Sequence, residues 1–205
     1  MKLGYKINKK KDEIFIQRTT KETTTKIIIN QVKENKQSIQ TTIQFLDHMI
    51  ETISQRANLN IGIKIESKNK LTHTISEDSG ITLGRAILEL YKSKINLGAE
   101  GYGYSRGIID EAYSDLILSI EGRSNCFIKG PDFAIVEDTS GYDLKAFLEG
   151  FCQGCKCTLR VDYSGEDPHH SWEAVFRALG ISIRKTLQTN SWRKNSIPAI
   201  KGTID

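Results

Sequence analysis

The sequence predicts an α+β fold made by duplication of one unit, giving two fused halves that are each a sheet covered on one face by helices. Two observations predict it. A histidine followed four residues later by a glutamate occurs twice, at His73 and Glu77 and again at His169 and Glu173, 96 positions further on. A helix-like segment and then a strand with alternating apolar residues precede each dyad. A duplicated unit explains this recurrence better than chance does.

The duplication also predicts the domain organisation. A Leu-Gly pair stands six residues after each glutamate, beginning at Leu83 and at Leu179. A chain of 205 residues suits one domain or two tightly fused halves. No linker rich in Ser, Thr and Pro separates the halves. We therefore predict a single domain over 1–205 with pseudo-repeats at about 1–98 and 99–205.

The elements of the first half follow from local composition. Runs rich in Ile and Thr, and alternation of Ile with polar residues, are typical of strands. Three strands are predicted, at 13–18, 23–32 and 60–67. Helical character predicts a helix over 41–56 around His48, and an apolar stripe predicts a long helix over 75–93. Polar residues predict a turn at 33–38 and a loop at 68–72.

The second half repeats this pattern of strands and two helices. Strands are predicted at 115–120, 125–129 and 158–163, and helices at 143–154 and 169–187. Turns are predicted at 121–123 and 165–168, and the tail from 195 is predicted to be irregular. Four glycines and two tyrosines within 98–107 predict a loop. That segment is not a dinucleotide-binding fingerprint, because no helical pattern follows it.

Composition narrows the classes of function. The 29 basic residues are offset by 25 acidic ones, and no basic stripe is interleaved with aromatic residues, so we expect no nucleic-acid binding. No apolar run approaches the ~20 residues that span a bilayer, so we expect no membrane insertion. The basic run at 9–11 is not followed by an apolar segment typical of a secretory signal. We expect a cytoplasmic protein.

The four cysteines have two interpretations. Cys152, Cys155 and Cys157 have a spacing that suggests a metal or redox site. A closed zinc site with four cysteines would also require Cys126 to arrive from a separate strand. We favour the other interpretation, in which the cysteines are small buried hydrophobic residues. Disulfides are not expected in a cytosolic chain.

The histidines and their neighbouring acids are candidate metal ligands. A histidine and a glutamate four residues apart project from one face of a helix and can bind the same ion. An internal pseudo-twofold axis would bring ligands from the two halves together. The alternatives are a solvated helix N-terminus for the paired histidines and a core histidine on the first helix. The candidate ligands are His48, His73, Glu77, His169, His170 and Glu173.

Several short motifs occur in an order that resembles the imidazoleglycerol-phosphate dehydratase family. No one of them is decisive, but their ordered combination is specific and extends over nearly the whole chain. The motifs are Arg18-Thr19-x-x-Glu22-Thr23, Phe45-Leu46-Asp47-His48-Met49, His73 to Asp78, Ile109-Asp110-Glu111-Ala112, Glu121-Gly122-Arg123, His169-His170-x-x-Glu173 and Lys201-Gly202.

The resemblance implies a fold, an activity, a cofactor and an assembly. The fold would be two fused halves of the ribosomal S5 domain 2-like type. The activity would be that of a hydro-lyase that removes water from imidazoleglycerol phosphate, a small phosphorylated substrate, in histidine biosynthesis. Mn²⁺ would bind at two sites, and the subunits would form a 24-subunit homo-oligomer.

The resemblance also implies roles for residues. Glu22, Glu77 and Glu173 would be catalytic, with Glu22 moving the proton as a general acid or base. Cations on the two ring nitrogens of the imidazole would stabilise an imidazolate and draw electrons from the carbon that loses its hydrogen. The phosphate would be held by three basic residues: Arg123, Arg177 and Lys201.

Some positions depart from the family pattern. Thr74 stands where a second histidine would follow His73, and Arg160 stands at the strand position of another histidine ligand. A guanidinium keeps its charge and would repel a cation. Asp162, on the same face of that strand, is a candidate substitute ligand, and Arg177 stands where Lys is usual. The alternatives are therefore a diverged relative with another phosphorylated substrate, or a non-catalytic member of the family.

Overall fold

The computed structural model describes residues 2–10, 13–31, 38–197, 199 and 202–204. The strands are β1 (Gly4–Lys10), β2 (Glu13–Thr19), β3 (Thr23–Asn30), β4 (Ile39–Gln40), β5 (Asn60–Ser67), β6 (Tyr102–Ile109), β7 (Ala112–Ile120), β8 (Asn125–Lys129) and β9 (Cys157–Ser164). The α-helices are α1 (Gln44–Ala57), α2 (Thr72–Lys94), α3 (Gly141–Cys155) and α4 (Pro168–Thr186).

The two sheets have the same topology. The first has the strand order β1-β2-β3-β5-β4 and the second has β6-β7-β9-β8, so the two match once the edge strand β1 is set aside. In each sheet the last pair, β4 with β5 and β8 with β9, is parallel, and the other pairs are antiparallel. A helix joins each parallel pair, and a second helix follows it. The predicted α+β fold with two duplicated halves is confirmed.

The helices of the two halves pack against each other between the sheets. Helix α2 contacts α3 as well as β2 and β3, and α4 contacts α1 as well as β6 and β7. Alternating Ile residues of the first sheet and the large aromatic residues of α3 and α4, including Phe147 and Trp172, are fully buried there. Burying a large apolar side chain contributes about 1.5–3 kcal/mol. This shared core places residues of one half next to residues of the other.

The repeated Leu-Gly pairs have a packing cause. A Cβ atom on Gly84 of α2 would overlap the carbonyl oxygen of Phe151 on α3. A Cβ atom on Gly180 of α4 would lie 2.7 Å from the Cβ of Arg56 on α1. Each glycine is therefore the point where a helix of one half crosses a helix of the other at close range.

The predicted loop over 98–107 is wrong, because strand β6 begins at Tyr102. Exposed residues alternate along β6 with inward-facing Gly103, Ser105 and Gly107. A Cβ at either glycine would overlap a backbone oxygen of α4, so the glycines let the strand lie directly on that helix. Here glycine provides close approach rather than a turn.

Besides β6, two further strands were not predicted. Strand β1 is almost wholly exposed and lacks alternating apolar residues, and β4 has only two residues. The other predicted strands and helices are present, with ends that differ by a few residues. Most of the predicted turn at 33–38 lies outside the described residues.

The cysteines lie between α3 and the second sheet. Cys152, Cys155 and Cys157 are buried, which agrees with the interpretation as small core residues. Burial raises the pKa of the Cys157 thiol well above its ordinary value. Within the described ranges, no helix combines the length and the apolar character that a membrane span requires.

Candidate metal centre

His48, His169 and Glu173 converge where α1 packs against α4. His169 and Glu173 lie one turn apart on α4, and His48 projects from α1 of the other half. Glu173 Oε2 lies 3.4 Å from His48 Nε2 and 3.3 Å from His169 Nε2. Two imidazole nitrogens and a carboxylate oxygen, all within 4.8 Å of one another, are a donor set that suits a divalent first-row metal ion.

The centre has a buried base and an open side. Glu173 is buried, whereas His48 is exposed and His169 is half-buried. Burial alone would raise the pKa of the Glu173 carboxyl, but the hydrogen bonds and charges of Arg177 and His48 outweigh it, and the pKa lies below its ordinary value. Glu173 is therefore ionised at neutral pH, as a metal ligand must be.

Arg177 fixes the orientation of that carboxylate. Its Nε and Nη2 donate to Glu173 Oε1 at 2.9 and 2.6 Å, and its Nη1 donates to the carbonyl oxygen of Ile108 at 2.9 Å. One carboxylate oxygen is thus held by the guanidinium while the other faces the histidines. The resemblance implied phosphate binding for Arg177, whereas the structure places its guanidinium on Glu173 and on β6.

Local sequence explains where α4 begins. Asp167 accepts a hydrogen bond from the backbone N–H of His170 at 2.9 Å, and Pro168 occupies the first turn. This is a favourable start for a helix, since the carboxylate satisfies a free N–H and proline needs no partner there. His169 therefore falls in the first turn, at the end of α4 that meets the start of α1.

Helix α1 is capped from a distance. Its N-cap residue, Ile43, has no side chain that can cap, and Asp138 from the β8–α3 connection accepts hydrogen bonds from the N–H groups of Gln44 and Phe45 instead. The neighbouring residue, Glu137, has its Oε1 2.9 Å from His169 Nδ1. Sequence reasoning missed both acids, because their partners are far away in the chain and no local pattern marks them.

His170 belongs to a second cluster. Its Nδ1 lies 3.0 Å from Glu111 Oε2 and its Nε2 lies 3.5 Å from Asp110 Oδ2, at the turn between β6 and β7. Hydrogen bonds from the Asp167 N–H and from His170 lower the pKa of Glu111 to about 2, and the bond to Glu111 raises the pKa of His170. The structure therefore pairs His170 with these acids rather than with His48.

His73 and Glu77 lie where α2 packs against α3. The His73 ring stacks on Tyr142 at 4.9 Å between centroids, and its Nδ1 lies 3.7 Å from Asp143 Oδ1. This crossing is the counterpart of the one between α4 and α1. However, the residue 96 positions after His48 is Leu144, which is fully buried. Among the described residues, only the α1–α4 crossing brings two histidines and a glutamate together.

Glu22 lies on the exposed turn between β2 and β3. That turn is anchored on α2, because Arg18 and Thr23 both donate short hydrogen bonds to buried Asp78, the residue after Glu77. Apart from His48, the predicted site residues of the first half thus lie near the start of α2, away from the centre on α1 and α4.

The remaining predicted residues lie elsewhere. Arg123 is exposed on the turn between β7 and β8, and Lys201 lies outside the described residues. Arg160 is exposed on the face of the second sheet that points away from the helices, where it binds Asp162 with Nε to Oδ2 at 2.9 Å. Its charge therefore points away from the centre at His48.

Fold and site together define a class of protein. It is a duplicated α+β fold with a histidine and carboxylate centre where helices of the two halves cross. A sequence model described as imidazoleglycerol-phosphate dehydratase matches residues 41–183. The chain is 31% identical over 195 residues to the imidazoleglycerol-phosphate dehydratase of Hydrogenovibrio crunogenus, covering 92% of this chain and 97% of that one. It is 32% identical over 193 residues to the enzyme of Bordetella pertussis, covering 92% and 97%. The chain belongs to the imidazoleglycerol-phosphate dehydratase family.

Solved structures agree with this assignment. The crystal structure of imidazoleglycerol-phosphate dehydratase (IGPD) from Pyrococcus furiosus matches this chain with a TM-score of 0.78 and 27% identity. The match covers 91% of this chain and 98% of that one. The enzyme of Staphylococcus aureus matches in fold with a TM-score of 0.76. The resemblance read from the motifs is confirmed. Members of the family are metal-dependent hydro-lyases of histidine biosynthesis that act on a small phosphorylated substrate, and the chain is assigned to that class.

Proposed function

We propose that this protein removes water from imidazoleglycerol phosphate, with a divalent cation held by His48, His169 and Glu173. The observation that supports the proposal is the convergence of these three side chains, from both halves of the chain, on an open and partly buried point. The convergence lies within the part of the chain that the family model matches.

Mn²⁺ is the cation we propose. Imidazole and carboxylate donors suit this ion, and three protein donors leave positions open for water or substrate. When bound, the metal would supply Lewis-acid chemistry, stabilising negative charge on the imidazole ring of the substrate. A second Mn²⁺ site, using His73, Glu77 and His170, belongs to the same proposal.

The protein residues would bind, orient and move protons. Arg177 holds Glu173 ionised and turned toward the histidines. The hydrogen that leaves the substrate is only weakly acidic, so a carboxylate must take it and an acid must protonate the departing hydroxyl. We propose Glu22 for the proton transfer, with Glu77 and Glu173 acting as ionised metal ligands, and Arg123 and Lys201 for the phosphate.

We also propose an assembly and a compartment. Glu22 and Arg123 are exposed, and His73 and Glu77 lie apart from the centre on α1 and α4. A neighbouring copy of the chain would bring such residues to the centre, and we propose a homo-oligomer of the 24-subunit type. Its work in amino-acid biosynthesis supports a cytoplasmic location. We also propose that residues 1–205 form a single domain whose two halves meet near residue 98.

The test is an assay of the purified full chain with imidazoleglycerol phosphate, with and without added Mn²⁺. Formation of imidazole acetol phosphate is expected only with the metal present. Replacing His48 or His169 with Gln should lower turnover at least about 100-fold, since loss of a metal ligand outweighs the loss of an outer partner. Asp132→Asn, at an exposed residue that pairs with Lys145 away from the centre, serves as the control and should keep wild-type turnover. Absence of turnover with any divalent metal would overturn the proposal.

A further inference from the structure

We infer that Glu137 is a positioning residue, which fixes the His169 ring so that Nε2 faces the centre. The inference rests on the metal centre proposed above. Glu137 Oε1 lies 2.9 Å from His169 Nδ1, while His169 Nε2 lies 3.3 Å from Glu173 Oε2. An imidazole whose Nδ1–H donates to a carboxylate presents the lone pair of Nε2 to a metal and becomes a stronger donor.

The turn that bears Glu137 also holds the other helix of the centre. Asp138 Oδ2 accepts from the Gln44 N–H at 2.6 Å, and Oδ1 accepts from the Phe45 N–H at 2.9 Å. A carboxylate at a helix N-terminus is favourable because it meets free N–H groups and the positive end of the helix dipole. One turn of the second half thus contacts both α1, which carries His48, and the ring of His169.

The turn that bears Glu137 and Asp138 is closed by backbone hydrogen bonds. Val136 and Thr139 exchange backbone hydrogen bonds at 3.0 Å in both directions, which closes the turn around the two acids. The ring of Phe45, whose N–H is held by Asp138, meets the His169 ring edge-on with centroids 5.0 Å apart. The His169 ring is therefore held on one side by an aromatic ring and at Nδ1 by a carboxylate.

The backbone at position 137 favours glycine, not glutamate. Glu137 has φ of 54°, in the left-handed region that residues with a side chain rarely adopt. Strained residues of this kind cluster at functional sites, where the surrounding structure enforces them. A glycine would satisfy the turn, so the turn itself does not require the carboxylate, whose observed contact is with the His169 ring.

This backbone conformation gives a decisive test. In the full chain, Glu137→Gly removes the carboxylate and relieves the strained conformation, whereas Glu137→Gln keeps an oxygen that can accept from Nδ1–H. Asp132→Asn removes one negative charge from the same connection, where Asp132 is exposed and pairs with Lys145. Affinity for Mn²⁺ alone is measured by the electron paramagnetic resonance signal of the free ion, and thermal stability is measured on the metal-free proteins.

Glu137→Gly is expected to weaken Mn²⁺ binding by about 10–100-fold, with a metal-free melting temperature equal to or above that of the wild type. Glu137→Gln should lose less affinity than Glu137→Gly, and Asp132→Asn should bind as the wild type does. The inference is overturned if wild type and Glu137→Gly bind Mn²⁺ equally. It is also overturned if Asp132→Asn loses as much Mn²⁺ affinity as Glu137→Gly does. The same holds if metal-free Glu137→Gly melts below the metal-free wild type. A wild-type chain that binds no Mn²⁺ would overturn the centre itself and this inference with it.

Discussion

The two carboxylate oxygens of Glu173 face different partners, and this division shapes the centre. Oε1 accepts from two nitrogens of Arg177, and Oε2 faces His48 and His169. A buried carboxylate without partners would be costly, so the guanidinium makes an ionised ligand possible at this depth. The pair lies at i and i+4 on a helix, a spacing that is visible in the sequence.

Replacing Arg177 with Met is expected to destabilise the metal-free protein by about 2–4 kcal/mol, because it removes the guanidinium that pairs with Oε1 of the buried carboxylate. The folded-state pKa of Glu173 lies below its unfolded value. The stabilisation is therefore present above the unfolded value of about 4.3 and is lost as pH falls through the folded-state pKa. Urea unfolding of both proteins, at pH values from roughly 3 to 7 that lie on either side of the unfolded-state pKa, checks this.

Arg177→Lys is the matched control, since it keeps the charge but cannot donate twice to one oxygen in the same geometry. We expect it to be intermediate in stability. A wild-type level of stability for Arg177→Met at neutral pH would contradict the role assigned to the guanidinium.

The His170 cluster predicts a titration. The pKa of His170 is raised by its bond to Glu111, so in metal-free protein it should lie above the usual value of about 6.5. The pair stabilises the fold below that usual value, and the contribution is lost as pH rises through the folded-state pKa. Glu111→Gln should return the pKa of His170 toward its ordinary value.

Proton resonances of the imidazole rings, followed as a function of pH, measure this directly, because the chain has four histidines to resolve. An unchanged His170 titration in Glu111→Gln would show that the contact does not form in solution.

At the scale of elements, helix crossings determine which residues meet. Gly84 on α2 is one of several close-approach glycines at the α2–α3 crossing, and Gly180 on α4 is a close-approach position at the α1–α4 crossing. In an exposed helix, replacing Gly with Ala stabilises by about 0.5–1 kcal/mol. At a crossing the sign is reversed, because the new Cβ forces packed helices apart.

We predict that Gly84→Ala destabilises the protein by roughly 1–3 kcal/mol, the usual cost of overpacking a core. Gly180→Ala should cost less, because its closest contacts would be the Cβ of Arg56 at 2.7 Å and the oxygen of Ile53 at 2.9 Å, whereas a Cβ on Gly84 would come still closer to the oxygen of Phe151. Denaturant unfolding of both variants measures the difference. Stabilisation by Gly84→Ala would show that α2 and α3 are less closely packed than described.

The elements show what the sequence could and could not predict. Helices with apolar stripes and strands with alternating Ile residues were predictable, because burial imposes those periods. Strand β6 was not, since its inward positions carry Gly103, Ser105 and Gly107 rather than apolar side chains. Among the site residues, helical spacing predicted His169 and Glu173 together. Contacts of Glu137 and Asp138 depend on tertiary folding, and no local pattern indicates them.

At the scale of the whole molecule, duplication produced two similar helix crossings that carry different side chains. The α1–α4 crossing holds His48, His169 and Glu173, whereas the α2–α3 crossing has His73 and Glu77, with buried Leu144 at the position equivalent to His48. The centre within one chain thus has three donors. Among the described residues, Glu22, His73 and Glu77 lie near the start of α2 and Arg123 lies on an exposed turn. In the proposed oligomer, a neighbouring copy of the chain would bring such residues to the centre.

This arrangement predicts complementation between inactive chains. If His73 of one copy completes the centre of another, His73→Ala and His169→Ala homo-oligomers should each be inactive. Co-expressed and co-assembled, the two variants should recover about a quarter of wild-type turnover, since random pairing of chains leaves one interface in four with both residues intact. Separately assembled oligomers, mixed without exchange of subunits, are the control and should stay inactive. Mixed oligomers that form but show no dehydration would mean that each chain carries its whole site, and His73 would then act only at the α2–α3 crossing.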